Sequence, residues 1–328
     1  MTNPARPRLT ARHIQVGLGM VWLLDGLLQL QPKMFGSGFA EMVIMPSAQG
    51  QPGVVSSAIT HVAHLMSVQP ALVNALFAGV QLLIGAGLLI RETVKPALMV
   101  SFVWALGVWT VGEGFGMLLT GHASPLSGAP GAALLYAAIG LLVWPRVHPA
   151  DAATGPAASE GLLGVRGGQT TWALLWTGMG VLWLLPVNRA QGALSGALGN
   201  AASGEPGWLA HLESAASGVF AGRGTSVAVV LAVMSFVIGL GPLLTKRSAI
   251  FLVAGIALSL DYWIFGQAFG QMFTGMGTDP NTGPLVILLA LTIFPVRPAR
   301  AVTTTSAEPA EGLGQRSAPR RELAHLSG

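Results

Sequence analysis

Long apolar segments that do not alternate with polar positions dominate the chain from residue 14 to residue 296. A helix that crosses a bilayer needs about 20 mostly apolar residues, and shorter helices are tolerated. The abundance of Ala, Leu, Met and Gly in these segments favours helices over strands. The pattern therefore predicts an all-α integral membrane protein with eight transmembrane helices, at residues 14–31, 71–90, 96–118, 130–145, 171–187, 224–244, 248–270 and 283–296.

The predicted helices form two similar halves. A shift of 154 residues places the turn Gly50-Gln51-Pro52-Gly53 on Gly204-Glu205-Pro206-Gly207. With no gap, the same shift superimposes a series of Trp, Gly, Phe, Thr and Pro residues, namely Trp109, Gly112, Phe115, Gly116, Thr120, Gly121 and Pro130 on Trp263, Gly266, Phe269, Gly270, Thr274, Gly275 and Pro284. A fixed offset of this kind indicates a duplicated structural unit. We predict a first four-helix unit at 14–145 and a second at 171–296.

The distribution of Lys and Arg predicts the orientation in the membrane. With a cytoplasmic N-terminal segment, 1–13, the inner segments carry 14 basic residues and the outer segments carry only Lys33, Arg189 and Arg223. Basic residues concentrate on the cytoplasmic side of membrane proteins. Both termini and the linker 146–170 are therefore predicted to be cytoplasmic. Because each unit has an even number of helices, the two repeats are predicted to be parallel. The tail 297–328 lacks an apolar period and is predicted to be disordered.

Two outer segments, 32–70 and 188–223, separate the first two helices of each unit. Their semi-apolar stretches, 54–66 and 208–220, are too short and polar to span a bilayer. We expect these stretches to form helices that lie on the outer membrane surface or cap the bundle.

Composition agrees with a membrane protein and excludes several functions. Charged residues make up 9% of the 328 residues, against about 25% in soluble domains. There is no cysteine, which excludes thiol redox chemistry, disulfides and Cys-ligated metal centres. The net charge of +4 comes mostly from the loops and tails, so it reports membrane topology and does not indicate binding of nucleic acid. We predict a multi-pass protein of the cell membrane with the lipid bilayer as its partner.

Three acidic residues fall inside the predicted spans, where charge is costly and often functional. Asp25 shares a helix face with Gln29, four residues later. Asp261 lies midway along its helix, and its equivalent in the first unit is Gly107. Asp261 is either a proton or cation site or a protonated group bonded to a neighbouring helix.

Glu113 follows Trp109 by four residues, so both side chains lie on one helix face, and the second unit repeats the pair as Trp263 and Gln267. Gly112 and Gly116 predict a notch for close helix packing. Either this region is only a packing notch, or it is a pocket with Trp109 as an apolar wall and Glu113 as its hydrogen-bonding end. The predicted ligand-binding residues are Asp25, Gln29, Trp109 and Glu113.

No metal site is predicted. His61 and His64 lie one helical turn apart in a predicted outer segment, but the sequence contains no second histidine pair that could complete a metal site with them. The methionines of the predicted outer side are typical packing residues. Phosphate-binding loops, dinucleotide-binding glycine patterns and hydrolase motifs are absent from the sequence.

The first unit resembles the DoxX-like family of membrane proteins. The resemblance rests on the Gly-rich first helix with Trp22 and Asp25, on the segment 74–90 with Gln81-Leu82-Leu83-Ile84-Gly85, and on a third helix that ends near Glu113. It implies a compact four-helix unit and a link to quinone-dependent redox systems, as in a thiosulfate:quinone oxidoreductase subunit. The duplication and the long outer segments depart from the family pattern.

Three functional hypotheses follow. The first is an accessory subunit of a membrane redox or envelope system, without catalytic activity of its own, that holds a quinone-like or lipid-like molecule. The second is a proton- or cation-coupled transporter that uses Asp25 and Asp261. The third is a membrane scaffold with no small-molecule site. No cofactor is assigned with certainty, and quinone is the candidate.

Overall fold

The computed structural model describes residues 8–146 and 155–296, and these residues fold into helices joined by loops. The predicted disordered tail, 297–328, lies outside the described residues, as do parts of the predicted N-terminal segment and linker. Within the described ranges there is no strand, and a single isolated bridge joins Pro145 to Gly161.

Twelve α-helices, α1 to α12, are described in chain order. The first half contains five of them: α1 Ala11–Gln29, α2 Gly53–Val68, α3 Pro70–Leu89, α4 Val94–Gly107 and α5 Ala132–Leu142. The second half contains the other seven: α6 Gly164–Trp183, α7 Pro186–Arg189, α8 Ala193–Ala201, α9 Gly207–Phe220, α10 Gly224–Leu244, α11 Ser248–Phe265 and α12 Thr282–Thr292.

Four helical stretches in the described part of the chain are long and apolar enough to cross a membrane. They are Pro70–Leu89, Arg91–Gly112, Gly224–Leu244 and Ser248–Phe265. The second of these is α4 extended by a 3-10 turn at its start and a π-helical turn, Val108–Gly112, at its end. These helices indicate a membrane protein whose apolar surface contacts lipid.

The short helices α5 and α12 lie at the centre of the fold. Each has 11 residues and is about 16 Å long, which is less than a bilayer core. They contact each other, α5 also packs on α4, and α12 packs on α11. Most of their side chains are buried, so these helices join the two halves into one compact unit.

Small residues permit the closest helix packing, between α1 and α3 and between α6 and α10. A Cβ atom on Gly19 would lie 3.0 Å from the carbonyl oxygen of Gly85, and one on Gly239 would lie 2.9 Å from the Cβ of Trp176. Gly112 and Gly116 do not form the predicted notch on one helix face. Gly112 ends the π-turn after α4, whereas Gly116 lies in the following 3-10 segment.

The third helix of each half ends earlier than predicted. The prediction 96–118 is too long, because the π-turn stops at Gly112 and Phe115 and Gly116 have positive φ angles of 57° and 61°. The prediction 248–270 is also too long, since α11 stops at Phe265 and Phe269 has a φ of 56°. In both places the apolar sequence continues past the point where the backbone turns.

The boundaries of α6 and α12 also differ from the prediction. Helix α6 begins at Gly164, inside the segment 146–170 that was predicted as a linker. Helix α12 begins at Thr282, so Pro284 lies within its first turn and does not precede it.

A similar loop geometry occurs at the C-terminal end of α4 and of α11. The indole N–H of Trp109 donates to the carbonyl of Pro130 at 2.8 Å, and that of Trp263 donates to the carbonyl of Pro280 at 2.6 Å. The ring of Trp109 lies 5.1 Å from that of Phe115, and the ring of Trp263 lies 4.9 Å from that of Phe269. The structure thus pairs Pro130 with Pro280, whereas the gap-free sequence shift paired it with Pro284.

Candidate functional site

A cavity of about 320 Å³ lies in the first half, between α1, α3, α4 and α5. The π-helical segment Ala40–Ile44 and helix α2 cover it, so the predicted capping helix 54–66 is found at this position. Most of the wall is apolar, with five aromatic residues: Trp22, Phe39, Phe77, Trp104 and Tyr136. The polar lining residues are Asp25, Gln29, Gln81, Glu113, Thr278 and Asp279.

Asp25 occupies the wall that α1 contributes. Its side chain is 2% exposed, and one carboxyl oxygen, Oδ2, accepts a hydrogen bond of 2.5 Å from the hydroxyl of Tyr136 on α5. Its other oxygen, Oδ1, has no hydrogen-bond partner among the described residues. The ring of Tyr136 packs 4.3 Å from the ring of Trp22, whose indole donates to Ser101, so the polar pair is held by aromatic packing.

Glu113 lies where the π-turn after α4 ends and faces the start of α5. Its Oε1 atom accepts a hydrogen bond of 3.0 Å from the backbone N–H of Ala133. The first N–H groups of a helix have no partner within the helix, and the helix dipole favours negative charge there. Glu113 therefore caps α5, while its Oε2 atom is buried without a partner in the described part of the chain.

Gln29 lines the cavity, but its amide also joins two helices. Its side chain is 1% exposed and donates to the side-chain oxygen of Asn74 on α3 at 2.5 Å. The side-chain nitrogen of Asn74 donates back to the carbonyl of Gln29 at 2.8 Å. Gln29 thus has a structural role in the contact between α1 and α3.

Trp109 is not among the residues that line the cavity. Its indole binds the carbonyl of Pro130 and fixes the loop that leads into α5. The expected aromatic wall is supplied by Trp22 and Trp104 instead. The side chain of Trp109 therefore supports Glu113 and α5 from outside the cavity.

The second half also contributes to this cavity, which the sequence did not predict. Thr278 and Asp279, in the loop before α12, line its wall. The carboxyl of Asp279 accepts from the hydroxyl of Thr278 at 2.8 Å and from the backbone N–H of Asn281 at 2.7 Å. Burial raises the pKa of Asp279, and these two hydrogen bonds partly offset that effect. Asp279 is close enough to repel charge on both Asp25 and Glu113.

Asp261 stands apart from this cavity. It lies on α11, is exposed on the surface of the fold and is not a lining residue. The structure brings Asp25, Gln29 and Glu113 to one cavity and leaves Asp261 outside it.

Two further carboxylates, on Glu205 and Glu213, lie near each other in the segment between α8 and α10. Glu213 on α9 is fully buried, and neither oxygen of either side chain has a partner within the ranges that the structure describes. Burial, and then repulsion from Glu205, raises the pKa of Glu213 to about 8. A periodicity-based analysis could not identify this group because it belongs to no predicted span.

Over residues 8–146 and 155–296, no group of three His, Asp or Glu side chains lies together as metal ligands would.

No protein-family model, no curated protein and no solved structure matches this chain.

Proposed function

We propose that this chain is a DoxX-like membrane protein with eight spans in two parallel four-helix repeats. The similar Trp–Pro contacts and Trp–Phe stacking at the ends of α4 and α11 support a duplication. The pairing of α1 with α3 and of α6 with α10 supports it further. In this proposal α1, α5, α6 and α12 are spans in addition to the four long apolar stretches, and α5 and α12, which are shorter than the bilayer core, cross it together with the loops at their ends.

We further propose that the protein holds an amphipathic small molecule, quinone-like or lipid-like, as an accessory subunit of a membrane redox or envelope system. The observation that carries this proposal is the cavity itself, which combines a mostly apolar, aromatic wall with a few polar side chains. Small-molecule sites typically have this composition and a volume of about 300–1,000 Å³. A quinone ring or a lipid head group would lie near Asp25 and Glu113.

The flank of α4 offers an entrance from the bilayer. Val103 and Gly107 both line the cavity and are both exposed. They belong to the apolar stretch Arg91–Gly112, so the surface around them faces lipid in a membrane. An apolar ligand would reach the cavity laterally, without crossing water.

Filling this entrance tests the proposal. Gly107 is helical, and a Cβ atom placed there meets no atom within 4 Å, so Gly107→Phe adds bulk at the cavity without a backbone clash. We expect Gly107→Phe to lower the amount of lipid or quinone that co-purifies with the protein by about tenfold. The measurement is solvent extraction of detergent-purified protein followed by mass spectrometry.

The matched control is Gly79→Phe on α3, which also has open space at its Cβ but does not line the cavity. This variant should retain the co-purified molecule in wild-type amounts. Equal retention in both variants would contradict the proposed site.

We also propose that both termini and the linker are cytoplasmic and that the protein resides in the cell membrane. The support is the strong asymmetry of Lys and Arg between the two sets of segments. Reporter fusions after residue 160 and after residue 305 should both give cytoplasmic signals. An external signal at residue 160 would exclude parallel repeats.

The transporter and the scaffold remain alternative predictions. The transporter hypothesis used Asp25 and Asp261 together, but only Asp25 lines the cavity. The scaffold hypothesis requires no cavity. It would gain support if Gly107→Phe left the amount of co-purified lipid or quinone unchanged.

A further inference from the structure

We infer that the ligand of this cavity is an organic cation, with a protonated amine as its head group and an apolar body. This inference rests on the proposed function, because it names the ligand class of the same cavity, and it selects a lipid-like amphipathic molecule over a quinone-like one. Three kinds of observation support it: the unpaired acceptors, the absence of basic side chains among the described lining residues, and the position of the aromatic rings.

The buried unpaired polar atoms of the lining residues are mainly acceptors. Asp25 Oδ1, Gln81 Oε1 and Glu113 Oε2 belong to residues that line this one cavity, and all three atoms lack a hydrogen-bond partner in the described ranges. Asp25 and Gln81 are themselves 2% and 8% exposed. Buried acceptors need donors, because leaving them unpaired costs their full desolvation. An ammonium group supplies three N–H donors, whereas quinone carbonyls only accept.

The charge of the wall has one sign. Asp25, Glu113 and Asp279 contribute three carboxyl groups, and no Lys, Arg or His occurs among the described residues that line the cavity. A buried carboxylate in a membrane protein requires a partner of opposite charge, a proton or water. A cationic head group would supply this partner from the ligand.

Aromatic rings surround the same space. Trp22 and Tyr136 lie 4.3 Å apart, and Phe77 and Trp104 meet edge to face at 5.0 Å. Aromatic faces attract cations, and they also accommodate an apolar body. Among the buried side-chain atoms of the lining residues, the indole N–H of Trp104 is a donor without a partner in the described part of the chain, which suits an acceptor on the ligand body.

The test compares two probes of equal shape, 4-phenylbutylamine and 4-phenylbutan-1-ol, on the full-length protein in detergent micelles. We expect the amine to bind at least about tenfold more tightly than the alcohol at neutral pH. Asp25→Asn keeps an acceptor for the hydroxyl of Tyr136, and Glu113→Gln keeps one for the N–H of Ala133. Each variant should weaken amine binding about 10- to 100-fold and leave alcohol binding unchanged.

The control variant is Glu92→Gln, which removes an exposed carboxylate in the turn before α4 and should change neither affinity. Thermal unfolding of each variant verifies that the fold is retained. Equal binding of both probes, or amine binding that survives both Asp25→Asn and Glu113→Gln, would overturn the cation assignment and leave the cavity as a binding site. Binding of neither probe, together with retention of co-purified molecules in Gly107→Phe, would overturn the proposed function as well.

Discussion

Gly116→Ala is expected to lower the free energy of unfolding by about 3 kcal/mol and the Tm by roughly 6–12 °C. Gly116 has a φ of 61°, in the left-handed region that favours glycine. An alanine Cβ at this position would also overlap the backbone carbonyl group of Pro130, which cannot rotate away. That carbonyl accepts the indole N–H of Trp109, so a shift of Pro130 would also weaken this bond.

Thermal unfolding in detergent micelles, followed by circular dichroism, measures this effect. The matched control is Gly79→Ala on α3, where an added Cβ meets no atom within 4 Å. Since alanine favours helices over glycine, Gly79→Ala should leave the Tm unchanged or raise it slightly. If Gly116→Ala unfolded at the same temperature as Gly79→Ala, the left-handed backbone conformation of Gly116 and its close contact with Pro130 would be excluded.

Glu213→Gln is expected to stabilise the protein at alkaline pH by an amount on the order of a few kcal/mol and to have little effect at pH 4. Burial raises the pKa of Glu213 from 4.5 to about 8, so the folded protein binds this proton more tightly than the unfolded chain does. Stability from this group is complete below pH 4.5 and declines as the pH rises towards 8. The glutamine variant does not ionise and should not show this decline.

The measurement is the Tm of both proteins at pH 4, 6 and 8.5. Glu41→Gln is a suitable control, because Glu41 is an exposed carboxylate in the segment between α1 and α2. The Tm of Glu41→Gln should change with pH in the same way as the Tm of the wild-type protein. A wild-type curve that stays flat from pH 4.5 to 8, or a glutamine variant that declines in parallel with it, would exclude an ionising Glu213.

The long apolar helices were predictable from the sequence because their ends coincide with changes in local composition. The predicted segments 71–90 and 224–244 agree with Pro70–Leu89 and Gly224–Leu244 to within a residue. Each of these helices depends mainly on its own residues, because backbone hydrogen bonds within a helix satisfy every polar group except those at its ends.

The ends of the third helices were not predictable in this way. The sequence stays apolar beyond Gly112 and beyond Phe265, but the backbone turns there with positive φ at Phe115 and Phe269. These conformations persist because the turns are fixed by contacts with the loops before α5 and α12, including the Trp109–Pro130 and Trp263–Pro280 bonds. Such contacts join residues about 20 positions apart, which no helical period reveals.

Part of the candidate site could be predicted from single residues. An acid inside an apolar segment is rare enough to be noticed alone, and this criterion selected Asp25 and Glu113, which both line the cavity. The same criterion selected Asp261, which lies on the outer surface of α11. A helical face pattern placed Trp109 in the same wall as Glu113, but the indole binds the carbonyl of Pro130, and Trp109 is not among the residues that line the cavity.

By itself, the amino-acid sequence determined that this chain forms apolar helices and at which positions acids fall within the apolar segments, because bilayer length and the cost of charge act on local sequence. Only the tertiary structure decided which polar groups meet. Tyr136 reaches Asp25 across 111 positions of sequence, and Asp279 enters the same cavity from the second half of the chain. These meetings depend on how α5 and the loop before α12 pack at the centre, and packing between distant segments is set by the shapes of all the contacting surfaces together.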